Sequence, residues 1–396
     1  MSELMNMSSI IEGEKEIILQ SFKNEAENFM NNLPYRKAPY KGRNWGNAWH
    51  SLCSYHGKLK PAIAYHLIQQ FTQKGQSVLD PMSGVGTIPF EASLQGRVGI
   101  GNDLSELAYT VTRAKLEPPE KPDVNDTLEE LENFIEAFKK SYKENEVPYS
   151  DFGLNGKLPD YFHPNTYSEI LVAREFFINR MNNLSSAETF ILTCLLHVLH
   201  GNRPYALSRR SHPLTPYAPQ GEFVYKNVVE KIRNKVELSF KKQSVEGFVL
   251  GKAIYGDLFD LDEKLSDIDN IITSPPFVGS IRFYSSNWMR LWFSGWEPID
   301  FKKADERFLE GKQKKNLEIY NLFFEKCSRV LKDNGKLILH LGKSHKCDMG
   351  VELAKLASPL FDVVHLGTEN VQELEKHGIS DKGSTTDHQF LFLMKK

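Results

Sequence analysis

The sequence predicts an α/β fold built on a parallel sheet, with a mostly helical insertion between two parts of that sheet. One observation is the order strand, glycine turn, helix and strand over residues 77–103, a βαβ unit that predicts parallel strands and a right-handed crossover. A second is the return of alternating strand and helix patterns after residue 251. A third is the stretch 118–250, where prolines and then helical patterns replace that alternation.

The elements of the first part follow from local patterns. Residues 1–32 place apolar positions at helical spacing and lack the uninterrupted apolar core of a signal peptide. Residues 61–71 predict a helix with its apolar positions on one face. The βαβ unit then comprises a strand at 77–80, a helix at about 88–94 that stops at Gly96, and a strand at 98–102.

The rest of the chain divides into the insertion and a second α/β part. A capping box, Ser185-x-x-Glu188, predicts the start of the third insertion helix. The predicted insertion helices are 126–143, 166–181, 186–200 and 222–242. The later strands are predicted at 252–256, 269–273, 336–341, 361–366 and 389–394, with helices at 314–332 and 350–358. The domains are predicted as an N-terminal helix and basic, aromatic arm (1–57), a first sheet part (58–117), the insertion (118–250) and a second sheet part (251–396).

Composition is that of an ordinary globular protein, with 40% apolar and 25% charged residues and a net charge of −2. A protein that binds a polyanion through bulk positive charge would be far more basic, so any nucleic-acid contact must come from local patches. No stretch approaches 18 apolar residues, and we expect a cytoplasmic protein without a membrane span. His50, Cys53 and His56 stand at three-residue intervals, but no second Cys/His pair accompanies them, so no metal site is predicted.

The glycine loop after the first strand, Asp80-Pro-Met-Ser-Gly84-Val-Gly86-Thr87, predicts a ligand site at the carboxyl edge of the sheet. A dinucleotide fingerprint shares this logic, with Asp103 as the ribose acid, but Pro89 replaces its third glycine. A carboxylate at Asp80 would also repel a pyrophosphate. It suits a ligand with an ammonium group, such as the methionine part of S-adenosylmethionine. A glycine turn that serves packing alone is the plain alternative.

A second motif, Ser274-Pro275-Pro276-Phe277, follows the apolar strand at 269–273. The exocyclic amino group of a base is a poor nucleophile because its lone pair is delocalised into the ring. A site that accepts hydrogen bonds from both N–H groups favours the pyramidal nitrogen of the transition state. The Ser274 hydroxyl and the Pro275 carbonyl are candidate acceptors, the prolines fix the backbone, and Phe277 offers a flat face to a flipped base. A Pro-Pro turn that simply ends a strand is the alternative.

These two motifs together resemble those of the nucleic-acid amino-methyltransferases, over roughly residues 50–115 and 250–396. The family has a D-P-F/M-x-G-x-G-T loop and an (S/T/N/D)-P-P-(Y/F/W) tetrapeptide. Ser at the first position resembles its cytosine-N4 branch, whereas Asp or Asn is typical of the adenine-N6 branch. The resemblance implies a Rossmann-like S-adenosylmethionine-dependent methyltransferase fold.

The resemblance also implies roles for residues. The catalytic set would be Ser274, Pro275, Pro276 and Phe277. The S-adenosylmethionine site would comprise Lys60, Pro61, Asp80, Pro81, Met82, Gly84, Gly86, Thr87, Asp103, Leu104, Asp257 and Leu258. Asp103 would bind the ribose hydroxyls, and Asp257 would contact the adenine. Two features depart from the family: Phe277 replaces the commoner Tyr, and the insertion precedes Asp257 rather than lying near the tetrapeptide.

Three segments combine basic and aromatic residues and predict the nucleic-acid surface: 33–61, 201–221 and 281–288. The candidate contacts are Arg43, Trp45, Trp49, Arg203, Arg209, Arg210, Arg282 and Tyr284. Solvated loops whose aromatic residues pack on the domain are the alternative for each segment. His340, His345 and His388 are interpreted as structural and receive no role.

The leading functional hypothesis is methylation of cytosine N4 in double-stranded DNA, as in restriction–modification or defence systems, with an endonuclease or other modification subunit as a possible partner. Carbon-5 methylation is excluded because none of the four cysteines follows a proline. One alternative is an RNA enzyme, such as a tRNA guanine-N2 methyltransferase, although only about 75 residues precede the glycine loop. Adenine-N6 methylation and a non-catalytic nucleic-acid-binding subunit are the others.

Overall fold

The computed structural model describes residues 2–42, 45–55, 57–140, 147–154, 156–199, 222–241, 247–279, 283–371 and 385–396, with side chains from residue 13 onward. The strands are β1 Ser77–Asp80, β2 Val98–Asp103, β3 Lys252–Tyr255, β4 Ile268–Thr273, β5 Leu331–Ser344, β6 Cys347–Asp348, β7 Phe361–Asn370 and β8 Thr385–Lys395. The helices are α1 Ser2–Asn32, α2 Pro61–Phe71, α3 Thr87–Leu94, α4 Glu106–Leu116, α5 Lys121–Phe138, α6 Pro164–Ile178, α7 Ser186–Leu199, α8 Val228–Phe240, α9 Phe283–Ser286, α10 Trp288–Phe293, α11 Pro298–Arg307, α12 Leu309–Lys312, α13 Ile319–Val330 and α14 Met349–Ala357.

The strands form one sheet in the order β3-β2-β1-β4-β5-β8-β7, with β6 paired to β5. The strands from β3 to β5 run parallel, whereas β8 is antiparallel to both of its neighbours. This order with one reversed strand is that of a Rossmann-like methyltransferase fold, so the predicted fold class is confirmed. It brings the carboxyl ends of β1, β2, β3 and β4 together at one edge, where open parallel sheets bind ligands.

Helices cover both faces of the sheet, and the side chains of strand β8 pack against the helices on each face. Phe390 and Phe392 lie in the cluster with α1 and α2, whereas Leu391 and Leu393 lie in the cluster with α13 and α14. Successive side chains of a strand point to opposite faces, so a fully apolar strand buries both. The long helix α1 contributes aromatic packing through Phe22, whose ring is 6.1 Å from that of Phe392.

The predicted insertion helices are present as α5 to α8, and the capping box of α7 forms as expected. Ser185 N donates to Glu188 Oε2 at 2.7 Å, and Glu188 N donates to Ser185 Oγ at 3.1 Å. The insertion shares one hydrophobic cluster with α10, the helix that follows the tetrapeptide segment. Arg290 of α10 donates to the Leu196 carbonyl at 2.8 Å. The insertion is therefore remote from the tetrapeptide in sequence but packs on the segment beyond it.

Several boundaries differ from the sequence prediction. The helix predicted at 314–332 begins at Ile319, and α11 and α12 precede it without a predicted counterpart. Strand β5 is longer than predicted at both ends, because Leu331 already pairs with Ile268 of β4 and the C-terminal end of β5 forms a hairpin with β6. The division into an arm, two sheet parts and an insertion stays a prediction. Among the described helices, none is both long and apolar enough to cross a membrane.

Candidate active site

The glycine loop lies between the end of β1 and the start of α3, with Gly86 at the helix N-cap in a left-handed conformation (φ +67°). A Cβ at Gly86 would stand 2.8 Å from the Thr112 hydroxyl. That hydroxyl donates to the Gly84 carbonyl at 3.1 Å. Helix α4, which contains Thr112, therefore contacts the glycine loop and fixes its position. Both the conformation and the contact require glycine, which keeps the loop backbone open at the ligand edge.

We expect Gly86→Ala to destabilise the protein by about 2 kcal/mol or more, since it adds left-handed strain and a steric clash with Thr112. Gly75→Ala is a matched control, because Gly75 also has a positive φ (+83°) but has open space around its Cβ position. Chemical denaturation of both variants measures the difference. Equal losses of stability would show that the contact with Thr112 contributes nothing.

Asp80 ends β1 and is the buried carboxylate of the loop, with 3% of its surface exposed. Its Oδ1 accepts hydrogen bonds from Thr273 Oγ1 at 2.6 Å and from Met82 N at 3.2 Å. Burial raises the pKa of Asp80 to about 7; those two hydrogen bonds oppose the shift, and the charge of Asp103 adds to it. A carboxylate in this environment is poorly compensated, so a cationic ligand group would be strongly favoured beside it.

Asp103 ends β2 on the adjacent strand. Its Oδ2 accepts Gly84 N at 2.8 Å, and its Oδ1 accepts Ser105 N at 2.9 Å. Burial raises the pKa of Asp103 to about 6, although both backbone hydrogen bonds lower it. Each carboxylate oxygen has a further acceptor position, as hydrogen bonds from ribose hydroxyls require.

The other residues predicted for the S-adenosylmethionine site have the following contacts and burial. Asp257 caps a short 3-10 helix, accepting Phe259 N at 3.1 Å, and its Oδ2 is 4.0 Å from Lys312 Nζ. Lys60 Nζ donates to the backbone carbonyls of Tyr35 and Lys41 at 3.3 and 3.2 Å. Met82 and Leu104 are half-buried, whereas Pro61, Pro81, Thr87 and Leu258 are buried.

The tetrapeptide follows β4 directly, so Thr273 links it to Asp80. Ser274 Oγ lies 3.0 Å from His340 Nδ1 on β5. Gln313 Nε2 donates to the Pro276 carbonyl at 2.9 Å. The half-buried Phe277 ring packs 5.6 Å from that of His340, measured between centroids. The tetrapeptide is thus fixed from two sides beside the glycine loop.

Two residues of this arrangement were missed by sequence reasoning. From the sequence, His340 is interpreted as structural, and Gln313 has no predicted role. Strand pairing explains why His340 lies beside the tetrapeptide. Thr273 pairs with Leu339, so the residues that follow them, Ser274 and His340, are neighbours. Gln313 itself is fixed by Tyr320, whose hydroxyl donates to Gln313 Oε1 at 2.9 Å. A sequence signal for His340 exists only if the adjacency of β4 and β5 is assumed.

Two predicted nucleic-acid contacts are corrected. Trp49 is 2% exposed, and its indole N–H donates to the Ser239 carbonyl at 3.1 Å. Tyr284 is 4% exposed, and its hydroxyl donates to Asp305 at 2.8 Å. Both are amphipathic side chains that bury their rings and satisfy their polar atoms internally, so neither has a free face for a base.

The other predicted contacts have different positions. Trp45 is half-buried and packs edge-on against Tyr40 at 4.9 Å and Tyr65 at 5.0 Å between centroids. The candidate contacts Arg43, Arg203, Arg209, Arg210 and Arg282 lie outside the described residues, as does His56. His50 Nε2 lies 2.6 Å from Glu91 Oε1, in a buried pair rather than at an open ligand position.

Comparison with known proteins gives a domain match over the part of the chain that contains the glycine loop. A family model described as an RMKL-like methyltransferase domain matches residues 49–141, which include the glycine loop and β1 to α5. The curated proteins contain no significant match to the sequence.

Solved structures with a similar arrangement have low identity and low TM-scores. TrmN from Thermus thermophilus is 13% identical with a TM-score of 0.34; the match covers 88% of this chain and 52% of TrmN, so the chain spans about half of it. The rRNA methyltransferase aviRa from Streptomyces viridochromogenes is 11% identical, with coverage of 91% and 96% and a TM-score of 0.35. A TehB-like SAM-dependent methyltransferase from Corynebacterium glutamicum is 10% identical, with coverage of 84% and 87% and a TM-score of 0.30.

The sheet order, the methyltransferase-domain match and the chemistry of the glycine loop converge on one class. The protein has the fold of a methyltransferase that uses S-adenosylmethionine, as predicted. The residues fit this donor: the uncompensated carboxylate of Asp80 suits an ammonium group, and Asp103 has acceptor positions for hydroxyl groups.

Proposed function

We propose that the protein methylates an exocyclic amino group of a nucleic-acid base, and specifically N4 of cytosine in double-stranded DNA. One observation supports this most directly. The Ser274 hydroxyl lies at the edge of the sheet that carries the glycine loop, and Nδ1 of the buried His340 ring contacts it at 3.0 Å. A neutral imidazole that accepts the hydroxyl proton leaves the oxygen lone pairs available for an amine N–H.

The tetrapeptide has the acceptors that such an amine needs. Ser274 Oγ accepts one N–H, and the Pro275 carbonyl accepts the other. The neighbouring Pro276 carbonyl is already occupied by Gln313, which fixes the peptide plane between Pro276 and Phe277. S-adenosylmethionine supplies an electrophilic methyl group, so the nitrogen–carbon bond forms as the carbon–sulfur bond breaks and its electron pair stays on sulfur.

Cytosine N4 in DNA is the finer part of the proposal. Ser274 supports it, because serine at the first tetrapeptide position is typical of the cytosine-N4 branch of the enzymes that the sequence resembles. Phe277 supplies a face for a base that has left the duplex stack. Trp45 and the arginines of the three basic segments are proposed as the DNA contacts, with a cytoplasmic modification system as the setting and an endonuclease or other subunit as a partner.

A second candidate is amino-methylation of an RNA base, such as guanine N2 of tRNA. The observation that favours it is the RMKL-like domain match over residues 49–141, since the tRNA guanine-N2 enzymes have a closely similar glycine loop. Their tetrapeptide is usually Asp-Pro-Pro-Tyr, which this chain lacks at 274–277.

Identification of the modified nucleoside tests the proposal. The protein is incubated with methyl-labelled donor and either duplex DNA or total tRNA, and the nucleic acid is digested to nucleosides. We expect the label in N4-methylcytosine from DNA. Label confined to N6-methyladenine or to an RNA guanine would contradict the cytosine assignment. Donor binding without transfer to any substrate would favour a non-catalytic subunit.

A further inference from the structure

Resting on the proposed function, we infer that His340 receives the proton that the target amine loses, with Ser274 as the intermediate carrier. His340 lies on β5 directly beside Ser274, because β4 and β5 are paired in parallel up to Thr273 and Leu339. The ring is 5% exposed, and its Nδ1 is the atom that contacts Ser274 Oγ.

The two nitrogens of His340 have unlike surroundings. Nδ1 is 3.0 Å from the serine oxygen, whereas Nε2 is buried and has no hydrogen-bond partner within the part of the chain that the structure describes. If Nδ1 carried the proton, it would donate to Ser274 and turn the serine hydroxyl toward the target as a donor. An amine with a delocalised lone pair needs an acceptor instead, so the reaction requires the Nε2–H form of the ring.

The ring is neutral before the reaction. Burial holds the pKa of His340 well below its usual value, and the nearby His388 lowers it further. His388 of β8 is the titratable group that faces the ring, at 4.8 Å between ring centroids. The other rings packed on His340 are uncharged: Phe277 after β4 at 5.6 Å and Phe390 of β8 at 5.0 Å. The ring is therefore neutral at neutral pH, and in the Nε2–H form its Nδ1 has a free lone pair.

The proton transfer balances without any other group. After methyl transfer the target nitrogen has its new methyl group, two hydrogens and a positive charge. One of those protons passes to Ser274 Oγ while the serine proton passes to His340 Nδ1. The product is a neutral methylamino base, the serine is unchanged, and the imidazolium returns its proton to water after the product leaves. An exocyclic ammonium conjugated to a base ring is a strong acid, so it loses its proton even to an imidazole whose pKa is lowered by burial.

The tautomer of His340 provides a test that needs no methyl acceptor. Nitrogen-15 NMR of the labelled full chain, with His340→Gln to assign the signals, should show protonated Nε2 and bare Nδ1 near pH 7.5. A proton on Nδ1, or an imidazolium, would overturn the inference whatever the substrate is.

Two substitutions of His340 distinguish proton acceptance by its ring from orientation of the Ser274 hydroxyl. In His340→Asn the amide oxygen can accept the serine hydroxyl at the position of Nδ1 but cannot take up a proton, whereas His340→Ala does neither. We expect both variants to lose about 10²-fold or more in single-turnover rate with unchanged donor affinity. If His340→Asn stays within about threefold of wild type while His340→Ala falls, the ring only positions Ser274 and the inference is wrong. If the wild-type protein methylates no base amine, the proposed function itself fails.

Discussion

Asp80→Asn is expected to weaken binding of S-adenosylmethionine by about 10²–10³-fold, because the variant leaves the ammonium of the donor without its buried counter-charge. The carboxyl group is 3% exposed, and burial raises its pKa to about 7 in the free protein. The amide is nearly isosteric and can still accept from Thr273 and Met82, so the loss reports charge rather than shape.

The same carboxyl group predicts how donor affinity depends on pH. The ammonium binds the ionised form of Asp80, so protonation competes with binding. Affinity should fall as the pH drops through about 7, by up to tenfold per unit. Asp80→Asn should lose most of this dependence between pH 5.5 and 8, as measured by calorimetric titration.

Asp269 supplies the matched control. It lies at the opposite end of β4, where its Oδ2 accepts Ser77 Oγ at 2.9 Å and its Oδ1 pairs with Lys332 at 2.6 Å. Asp269→Asn removes the same charge from the same sheet and should change stability only. Equal losses of donor affinity in Asp80→Asn and Asp269→Asn would contradict the assignment of Asp80 to the donor site.

The sequence was sufficient for the features that are encoded locally. The glycine loop between β1 and α3 follows from the pattern of one short segment, as does the capping box of α7. The parallel pairing of β1 with β2 also follows, since the two strands belong to one predicted βαβ unit with a right-handed crossover. These features depend on neighbours within about 20 residues, so no knowledge of tertiary contacts was needed.

The features that depend on strand adjacency could not be predicted in this way. His340 and Ser274 are 66 residues apart, and only the pairing of β4 with β5 makes them neighbours. Trp49 is an error of the opposite kind, because the sequence predicted a nucleic-acid contact at a residue that the structure buries. Its basic, aromatic surroundings in sequence indicated a surface contact, but the helical insertion brings Ser239 and Phe190 to cover it. Local composition does not report which side chains a distant insertion will bury.

Ser274→Ala should lower the single-turnover rate of methyl transfer by about 10²–10³-fold, because the transition state loses one of the two hydrogen-bond acceptors for the amine. Donor affinity should be unchanged, since Ser274 itself is not among the residues of the glycine loop. The Asp80 side chain keeps its hydrogen bond from Thr273, which the substitution does not alter. A fall in rate without a fall in donor binding is the result that assigns Ser274 to the acceptor side of the reaction.

Ser266→Ala is the control for this comparison, because Ser266 is exposed just before β4 and its hydroxyl donates to Asp267 at 2.9 Å. It removes the same hydroxyl from the opposite end of the strand and should leave the rate unchanged. A Ser274→Ala variant within about threefold of wild type would mean that the Pro275 carbonyl alone suffices for the amine. The chemistry of the tetrapeptide would then depend on its backbone, and the serine would no longer support cytosine N4 over the other base amines.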